Sequence, residues 1–476
     1  MKHIQSQGVV KLKSKYLRIA LYALAIAVIT YILIALIPYW GRPYVSDETR
    51  NAFSIDNFFG EYEHPERVLL LECPRDAFFH RVHLISGAQS EIILSSFAIH
   101  EGISTDIIIG ALLAAADRGV QVRVINNAIG GSMPSVYRNV LRAHENIKLY
   151  SFNRWEFFRP WYLNSALHDK YMVVDGRFMI LGGRNLSDRY FAPEGFNGSL
   201  TYDREVLVYN TCQDFMGSIV DVMAYFNVKI YSGRVHQHGQ GNAAGQEGHI
   251  IAYIDLYLAY KDTLDAGDFD YYSNTIRVNN ITLITNNIGT AKNDSIVAYN
   301  LMMLTQNSSI IVAQSPYIAF TFRTMGMFSE LVEGRDFTLM TNSLASAVNI
   351  PASSSYYVSR RRLINAGITI YEFQSTDSSI HGKTYLFDSR LTAIGSFNMN
   401  ERSIRSDTES MLIIDSEEFH DIVLDAINDQ ISRSLRVAGN LRYERCDYVE
   451  PARVPFGKRW LYVVAGYLLR MFRFMF

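Results

Sequence analysis

"LHDKYMVVDGRFMILGGRN" runs from Leu167 to Asn185. His168 and Lys170 stand two residues apart in what otherwise reads as an apolar strand, so their side chains share one face. Alone, such a pair is as readily the decoration of an edge strand. A second copy changes the reading: "IHGKTYLFDSRLTAIGSFN", Ile380 to Asn398, returns His168/Lys170/Asp175 as His381/Lys383/Asp388. Gly182-Gly183 is echoed by Gly395-Ser396 and Asn185 by Asn398, every offset being 213 residues. Two ungapped copies with identical internal spacing predict a duplicated half-domain.

The chain is long enough for two such halves. With 476 residues, 49% hydrophobic and 19% charged, it has the composition of a folded protein with a large core, not a disordered one. Its 30 Tyr and 27 Phe suit that core, and equally an apolar or interfacial substrate. A net charge of −2 gives no global basic footprint for nucleic acid, so no nucleic-acid partner is expected, although a local groove can still be positive. Cys73, Cys212 and Cys446 match neither a metal spacing nor a disulfide framework, and a single bridge is left open.

The N-terminus predicts a membrane anchor. Ile19 to Ile37 is uncharged over 19 residues, as a helix about 28 Å, close to the hydrocarbon thickness of a bilayer. No small-x-small cleavage site follows it. Lys2, Lys11, Lys13, Lys15 and Arg18 precede the run, which puts the N-terminus in the cytoplasm and the rest of the chain outside it. The expected layout is a basic segment 1–18, the anchor 19–37, a linker 38–64, a first half 65–230, a flexible connector 231–250, a second half 251–445 and a tail 446–476.

Within each half, helical and strand patterns alternate. "TDIIIGALLAAADRGVQVRVINN" reads as a helix capped by Thr105 or Asp106, ended by Gly119 and followed by an alternating strand, and "NDSIVAYNLMMLTQNSSIIVAQSPYI" answers it in the second half. The fold class is α/β, with helices covering a mainly parallel sheet. The connector "YSGRVHQHGQGNAAGQEGHI" carries His236, His238 and His249, but its glycines fix no ligand geometry, so no metal is expected there. The tail "FGKRWLYVVAGYLLRMFRFMF" places Trp460, Leu461, Tyr467, Leu468, Met471 and Phe474 among Lys458, Arg459, Arg470 and Arg473, the pattern of an interfacial helix on anionic lipid; a helix packed on the domain is the plain alternative.

Two imidazoles and two ammoniums brought to one cleft by a pseudo-two-fold suit a phosphate diester. One His attacks phosphorus, and the other protonates the departing oxygen and deprotonates the incoming nucleophile. Lys170, Lys383 and the amides of Asn185 and Asn398 hold the non-bridging oxygens. No metal or other cofactor is needed. Asp175 and Asp388 follow their His by seven residues, point to the opposite strand face and sit at turns, so a bracing role is expected. Orienting carboxylates are sought downstream in Glu205 and Glu409, each a lone acid in an apolar strand, with Asp203 and Asp407 as competitors on the same faces.

The paired H-x-K-x-x-x-x-D motifs, each with a downstream G-[GS]-x-N, resemble the phospholipase D superfamily. "GGRNLSDRYF", "IGSFNMNERS", "QSPYI" at Gln314 to Ile318 and "TNSLAS" at Thr341 to Ser346 look like its bacterial cardiolipin synthase C-type branch from about residue 65 onward. The resemblance implies a duplicated phospholipase D fold, with an αβαβα sandwich in each half and a pseudo-two-fold between them, behind an N-terminal transmembrane helix. It also implies a phosphohistidine intermediate, with His168 as nucleophile and His381 as acid/base. Arg184 stands where the second copy has Phe397. The implied activity is phosphatidyl transfer between glycerophospholipids at a bilayer, with phosphatidylglycerol and also phosphatidylethanolamine as candidate substrates; oligomeric state is left open. Hydrolysis with water as acceptor uses the same residues. An anchored nuclease of single-stranded nucleic acid would want a basic aromatic groove, and a scaffold with a relic site has no physical reason to keep both motifs intact.

Overall fold

The computed structural model describes residues 2–36, 43–131, 133–264, 269–288 and 294–475. Ile37 of the expected anchor and linker residues 38–42 lie outside the described residues. Among those described, the first half builds a nine-stranded sheet in the order Ile276–Arg277, Glu66–Leu71, Glu205–Asn210, Phe178–Gly182, Tyr171–Val174, Glu91–Ser96, Gln121–Asn127, Ile147–Phe152, Val235–Gln237. The second half builds an eight-stranded sheet ordered Asn280–Thr285, Ser410–Asp415, Leu391–Gly395, Thr384–Phe387, Ile310–Gln314, Asp336–Asn342, Thr369–Phe373, Ser434–Arg436. Both sheets are mixed where a mainly parallel sheet was expected. Three strands on one side run parallel through helical crossovers, whereas the motif strands form an antiparallel hairpin flanked by an antiparallel partner.

Strand parity sorts the core into layers. Ile92 and Leu94 face an outer core with the helices Pro74–Gly87 and Ile103–Asp117, while Ile93 between them faces a central core. Met411 and Ile413 likewise face outward and Leu412 and Ile414 inward. The central core also takes Ile219, Val222 and Phe226 from the helix Ser218–Ile230, and Phe419, Val423 and Ile427 from the helix Glu417–Ile431. The αβαβα order is therefore a single stack shared by the two halves, one sheet each, with this helix pair in the middle. Parting the halves would expose both inner sheet faces, so each half depends on the other for burial.

The expected connector is not structureless. Val235–Gln237 pairs antiparallel with Ile147–Phe152 at the sheet edge, and His238 Nε2 lies 2.8 Å from Ser151 Oγ. The helix Glu247–Thr263 packs on Ile103–Asp117 so closely that a Cβ on Gly110 would sit 1.9 Å from the Tyr253 carbonyl oxygen. The expected boundary at 250/251 thus falls inside a helix of the first half, and the crossing to the second sheet follows Ile276–Arg277. The three cysteines are unpaired, closing the open question of a bridge. Lys2–Leu36 is one helix whose stretch Lys15–Leu36 is long and apolar enough to cross a membrane, and Tyr31 stacks on Phe157 at a centroid distance of 5.2 Å.

Candidate active site

Each His-bearing segment is held by the other half. Leu167 bridges Thr408 in parallel, His168 N donates to the Thr408 carbonyl at 3.2 Å, and Ala166 N donates to Asp407 Oδ1 at 2.9 Å. In the mirror arrangement Ser378–Ile380 pairs in parallel with Leu200–Tyr202, and His381 N donates to the Tyr202 carbonyl at 2.6 Å. The motif residues are thus extended but precede their strands, which begin at Tyr171 and Thr384. The backbone crossing delivers an acid to each imidazole from the opposite half. His168 Nδ1 lies 3.0 Å from Glu409 Oε1, and His381 Nδ1 lies 2.6 Å from Asp203 Oδ2.

Glu205 is corrected by this geometry. Its carboxylate is buried against Arg81 and, at 3.1 Å, against Arg184 Nη1, so it neutralises two interior guanidiniums and reaches no imidazole. Strand register explains the exchange. Gly182 pairs with Glu205 and Gly395 with Met411, so Glu205 corresponds to Met411 and Asp203 to Glu409. Gly183 makes room for Asp203: a Cβ there would sit 2.3 Å from Asp203 Oδ1. The equivalent Ser396 instead donates its hydroxyl to Glu409. Asp407 accepts from Arg402 Nη2 at 3.2 Å as well as from Ala166, which makes it a brace for the His168 segment.

The lysines point where their imidazoles do. Lys170 Nζ donates to the His168 carbonyl and lies 5.6 Å from the Phe97 ring centroid; Lys383 Nζ donates to the His381 carbonyl and lies 3.1 Å from His381 Nε2. Asn185 Oδ1 accepts from Ala98 N at 3.2 Å, which aims its amide nitrogen. Asn398 is buried, and its Oδ1 has no hydrogen-bond partner among the described residues. Asp175 and Asp388 both have positive φ, 54° and 52°. Asp175 accepts from the backbone N–H groups of Gln89, Ser90 and Glu91, and Asp388 from those of Ser309 and Ile310, so both brace turns away from the imidazoles.

Three features were not anticipated from sequence. Asp169, whose counterpart is Gly382, forms a buried pair with Lys229 Nζ at 2.7 Å, locking the first motif's reverse face to the central helix. Arg204 reaches Glu72 at 2.7 Å, Gln314 Oε1 at 2.7 Å and Thr384 Oγ1 at 3.1 Å, tying the halves beneath the site. Tyr190 and Tyr317 flank the His381 ring with centroids at 5.5 and 5.8 Å. Beside Tyr317 a cavity of about 480 Å³ opens between Val348, Ile350 and Arg402. The "QSPYI" stretch supplies Gln314 and Tyr317 to these contacts; the long-range partners carry no local signal.

Burial first, then the charge of Lys170, lowers His168 well below the ordinary imidazole value, and burial with Lys383 lowers His381 to about 3. Each histidine also feels the other half's lysine, so the two motifs share one electrostatic site. Both rings are neutral at neutral pH. The ionised Asp203 on His381 Nδ1 keeps the proton there and leaves Nε2 with its lone pair, whereas burial pushes the Glu409 carboxyl beside His168 Nδ1 up to about 8, against the opposing pull of Ser396 and Lys170. For Asp203, burial is outweighed by Lys383 and His381, which hold its carboxyl well below the usual range. Burial pushes Lys383 down to about 7, against the opposing pull of Asp203. The ammonium is present below that value and lost above it. The expected kcat/KM profile therefore descends on its basic side well below the ~10.4 of a free lysine; a flat profile up to that value would contradict this role for Lys383.

A duplicated α/β chain with two His-x-Lys motifs, each imidazole held by an acid from the opposite half, defines the phospholipase D class of fold. The family model described as "Cardiolipin synthase, PLD-like domain" matches residues 82–217 and 306–430, and the chain belongs to that family. It is 27% identical over 409 residues to an uncharacterized protein of Helicobacter pylori, covering 77% of this chain and 79% of that one. It is 25% identical over 412 residues to cardiolipin synthase C of Escherichia coli K12, covering 76% and 84%. Among solved structures, the phosphatidylserine synthase of Haemophilus influenzae has the same fold, with a TM-score of 0.63 at 14% identity over 86% of this chain and 95% of that one.

Proposed function

We propose that the chain is a membrane-anchored phosphatidyltransferase that works through a phosphohistidine and makes cardiolipin. The observation that carries it is the cross-held pair, His168 on Glu409 and His381 on Asp203, with both lysines at the same cleft. His168 Nε2 attacks the phosphorus of a glycerophospholipid such as phosphatidylglycerol. The bond from phosphorus to the headgroup oxygen breaks, and that oxygen takes a proton from His381. The acceptor, a hydroxyl of a second phosphatidylglycerol, then returns a proton to His381 Nε2 and attacks phosphorus, and the P–N bond to His168 breaks. Glu409 stabilises the positive charge that His168 carries while phosphorylated. Lys170, Lys383 and the amides of Asn185 and Asn398 hold the non-bridging oxygens, and bound anionic phosphate raises the proton affinity of His381 into a useful range. The family membership and its relatives named as cardiolipin synthases support the lipid substrate.

The anchor supports a bilayer location. The basic flank of Lys15–Leu36 favours a cytoplasmic N-terminus with both halves outside. Cys73 and Cys212 are free and exposed, so a membrane-impermeant maleimide is expected to label them in spheroplasts; labelling only after lysis would reverse the orientation.

Reconstitution into vesicles of phosphatidylglycerol and phosphatidylethanolamine, with products read by mass spectrometry, tests the activity. Cardiolipin is the expected product. Phosphatidic acid alone would make the enzyme a hydrolase, and degradation of labelled oligonucleotides without any lipid product would make it a nuclease.

A further inference from the structure

The C-terminal helix Phe456–Leu468 and the 3₁₀ turn Leu469–Met475 do not float free: they pack on the helix Ile350–Asn365. At the crossing a Cβ on Gly466 would come within 2.6 Å of the Ser354 carbonyl oxygen, so the contact is close. Past that crossing the two elements enclose a cavity of about 140 Å³ lined by Val358, Ser359, Arg362, Tyr467, Arg470 and Arg473. Among the described residues, three guanidiniums and no carboxylate line it. Arg473 is only 5% exposed, and its Nε is buried without a hydrogen-bond partner among the described residues. Arg362 is steadied from behind by the Phe322 ring, 4.5 Å from its centroid.

A buried guanidinium with an unfilled donor and two like charges beside it is unfavourable unless an anion completes it. Burial, with Arg470 and Arg362 adding repulsion, depresses even the Arg473 guanidinium to about 10. Arginine forks match the paired oxygens of a phosphate. The cavity is smaller than the ~300–1,000 Å³ of sites for whole organic ligands, so it suits one phosphate group with the rest of its molecule outside. What lies outside is apolar. Tyr467, Leu468 and Met471 are 63%, 70% and 80% exposed, and Phe456 and Trp460 extend the same exposed side of the tail. An anion pocket with an apolar lip matches a phosphate that carries acyl chains.

We propose that the Arg362/Arg470/Arg473 pocket seats the phosphate of an anionic phospholipid at the bilayer surface, as a lipid site separate from the two-histidine cleft. Tyr467, Leu468 and Met471 enter the acyl region beside it. The tail is thereby both packed on the domain and lipid-facing, and it presses the second half onto the membrane whether the cleft transfers or hydrolyses.

The test is native mass spectrometry of the full chain in detergent, titrated with phosphatidylglycerol, phosphatidylcholine and inorganic phosphate. Arg362→Ala/Arg470→Ala leaves the buried Arg473 in place and is compared with Arg442→Ala/Arg445→Ala, which removes two exposed cations outside the pocket. The pocket variant is expected to bind one phosphatidylglycerol fewer, its affinity falling about tenfold or more, with the control unchanged and a thermal midpoint close to the control's. Equal retention of phosphatidylglycerol by the two variants would overturn the site. Retention of phosphatidylcholine as strong as that of phosphatidylglycerol, or displacement of the pocket lipid by inorganic phosphate alone, would overturn its assignment to an anionic lipid.

Discussion

Exchanging His168 for alanine is expected to lower the rate of cardiolipin formation in reconstituted vesicles by ~10⁴-fold or more, the scale seen when a catalytic nucleophile is removed. The side chain is 13% exposed at the cleft with its Nδ1 on Glu409, and among the described residues no other imidazole but His381 shares the site. His381→Ala should be comparably inactive for full turnover, because both halves of the reaction need a proton moved at the oxygen. The effects of the two variants should not add, since the groups act in one sequence. Asp175→Asn provides the contrast. Its carboxylate accepts three backbone N–H groups at a turn 85 residues or so away in sequence and touches neither imidazole. It should cost ~1–3 kcal/mol of stability and leave the rate per folded molecule near that of the unaltered enzyme. A rate loss in Asp175→Asn as large as in His168→Ala would remove the bracing assignment.

The second large effect separates two acids that stand two residues apart. Asp203→Asn keeps the shape beside His381 but presents an amide where a carboxylate held the Nδ1 proton, so the ring can turn to the other tautomer. Activity should fall by ~10²–10⁴ with little change in thermal midpoint, as for other imidazole-orienting acids. Glu205→Gln should do the reverse. It strips the charge partner from Arg81 and Arg184, both buried, and breaking such a pair costs ~3–5 kcal/mol. The expected reading is a lower thermal midpoint with a nearly unchanged rate for the molecules that remain folded. If Glu205→Gln abolished activity at an unchanged midpoint and Asp203→Asn did not, the register assignment would be wrong.

This pair also marks where sequence reasoning runs out. The 213-residue repeat carries the duplication, and local parity separates His168 and Lys170 from Asp175. Pairing Glu205 with Glu409 by residue type went astray because the loop between Asn185 and its acid is longer in the first half than the loop after Asn398. Only the ladder, Gly182 to Glu205 against Gly395 to Met411, reveals the offset. A lone acid in an apolar strand has to be paired, but nothing local says whether its partner is an imidazole or an arginine from the helix Pro74–Gly87. The exchange of acids between halves is invisible for the same reason, since Thr408 and Leu167 are joined by tertiary pairing. The Gly-rich stretch before Glu247 misled in another way: a three-residue edge strand is held by backbone hydrogen bonds and needs no side-chain pattern. Arg473 was legible as a cation in an amphipathic tail, but its burial beside Arg362 depends on how that tail folds back on the domain.

The proposed transfer passes through one covalent bond, that between phosphorus and His168. Enzyme reconstituted with phosphatidylglycerol labelled in its phosphate, quenched in alkali to preserve a phosphorus–nitrogen bond and digested for mass spectrometry, reads that bond directly. The label is expected on the peptide that carries His168, absent from His168→Ala and retained or increased in the Glu409-intact His381→Ala variant when the donor has a good leaving group. Label found on the His381 peptide instead, or turnover to cardiolipin with no histidine labelled at any quench time, would contradict it.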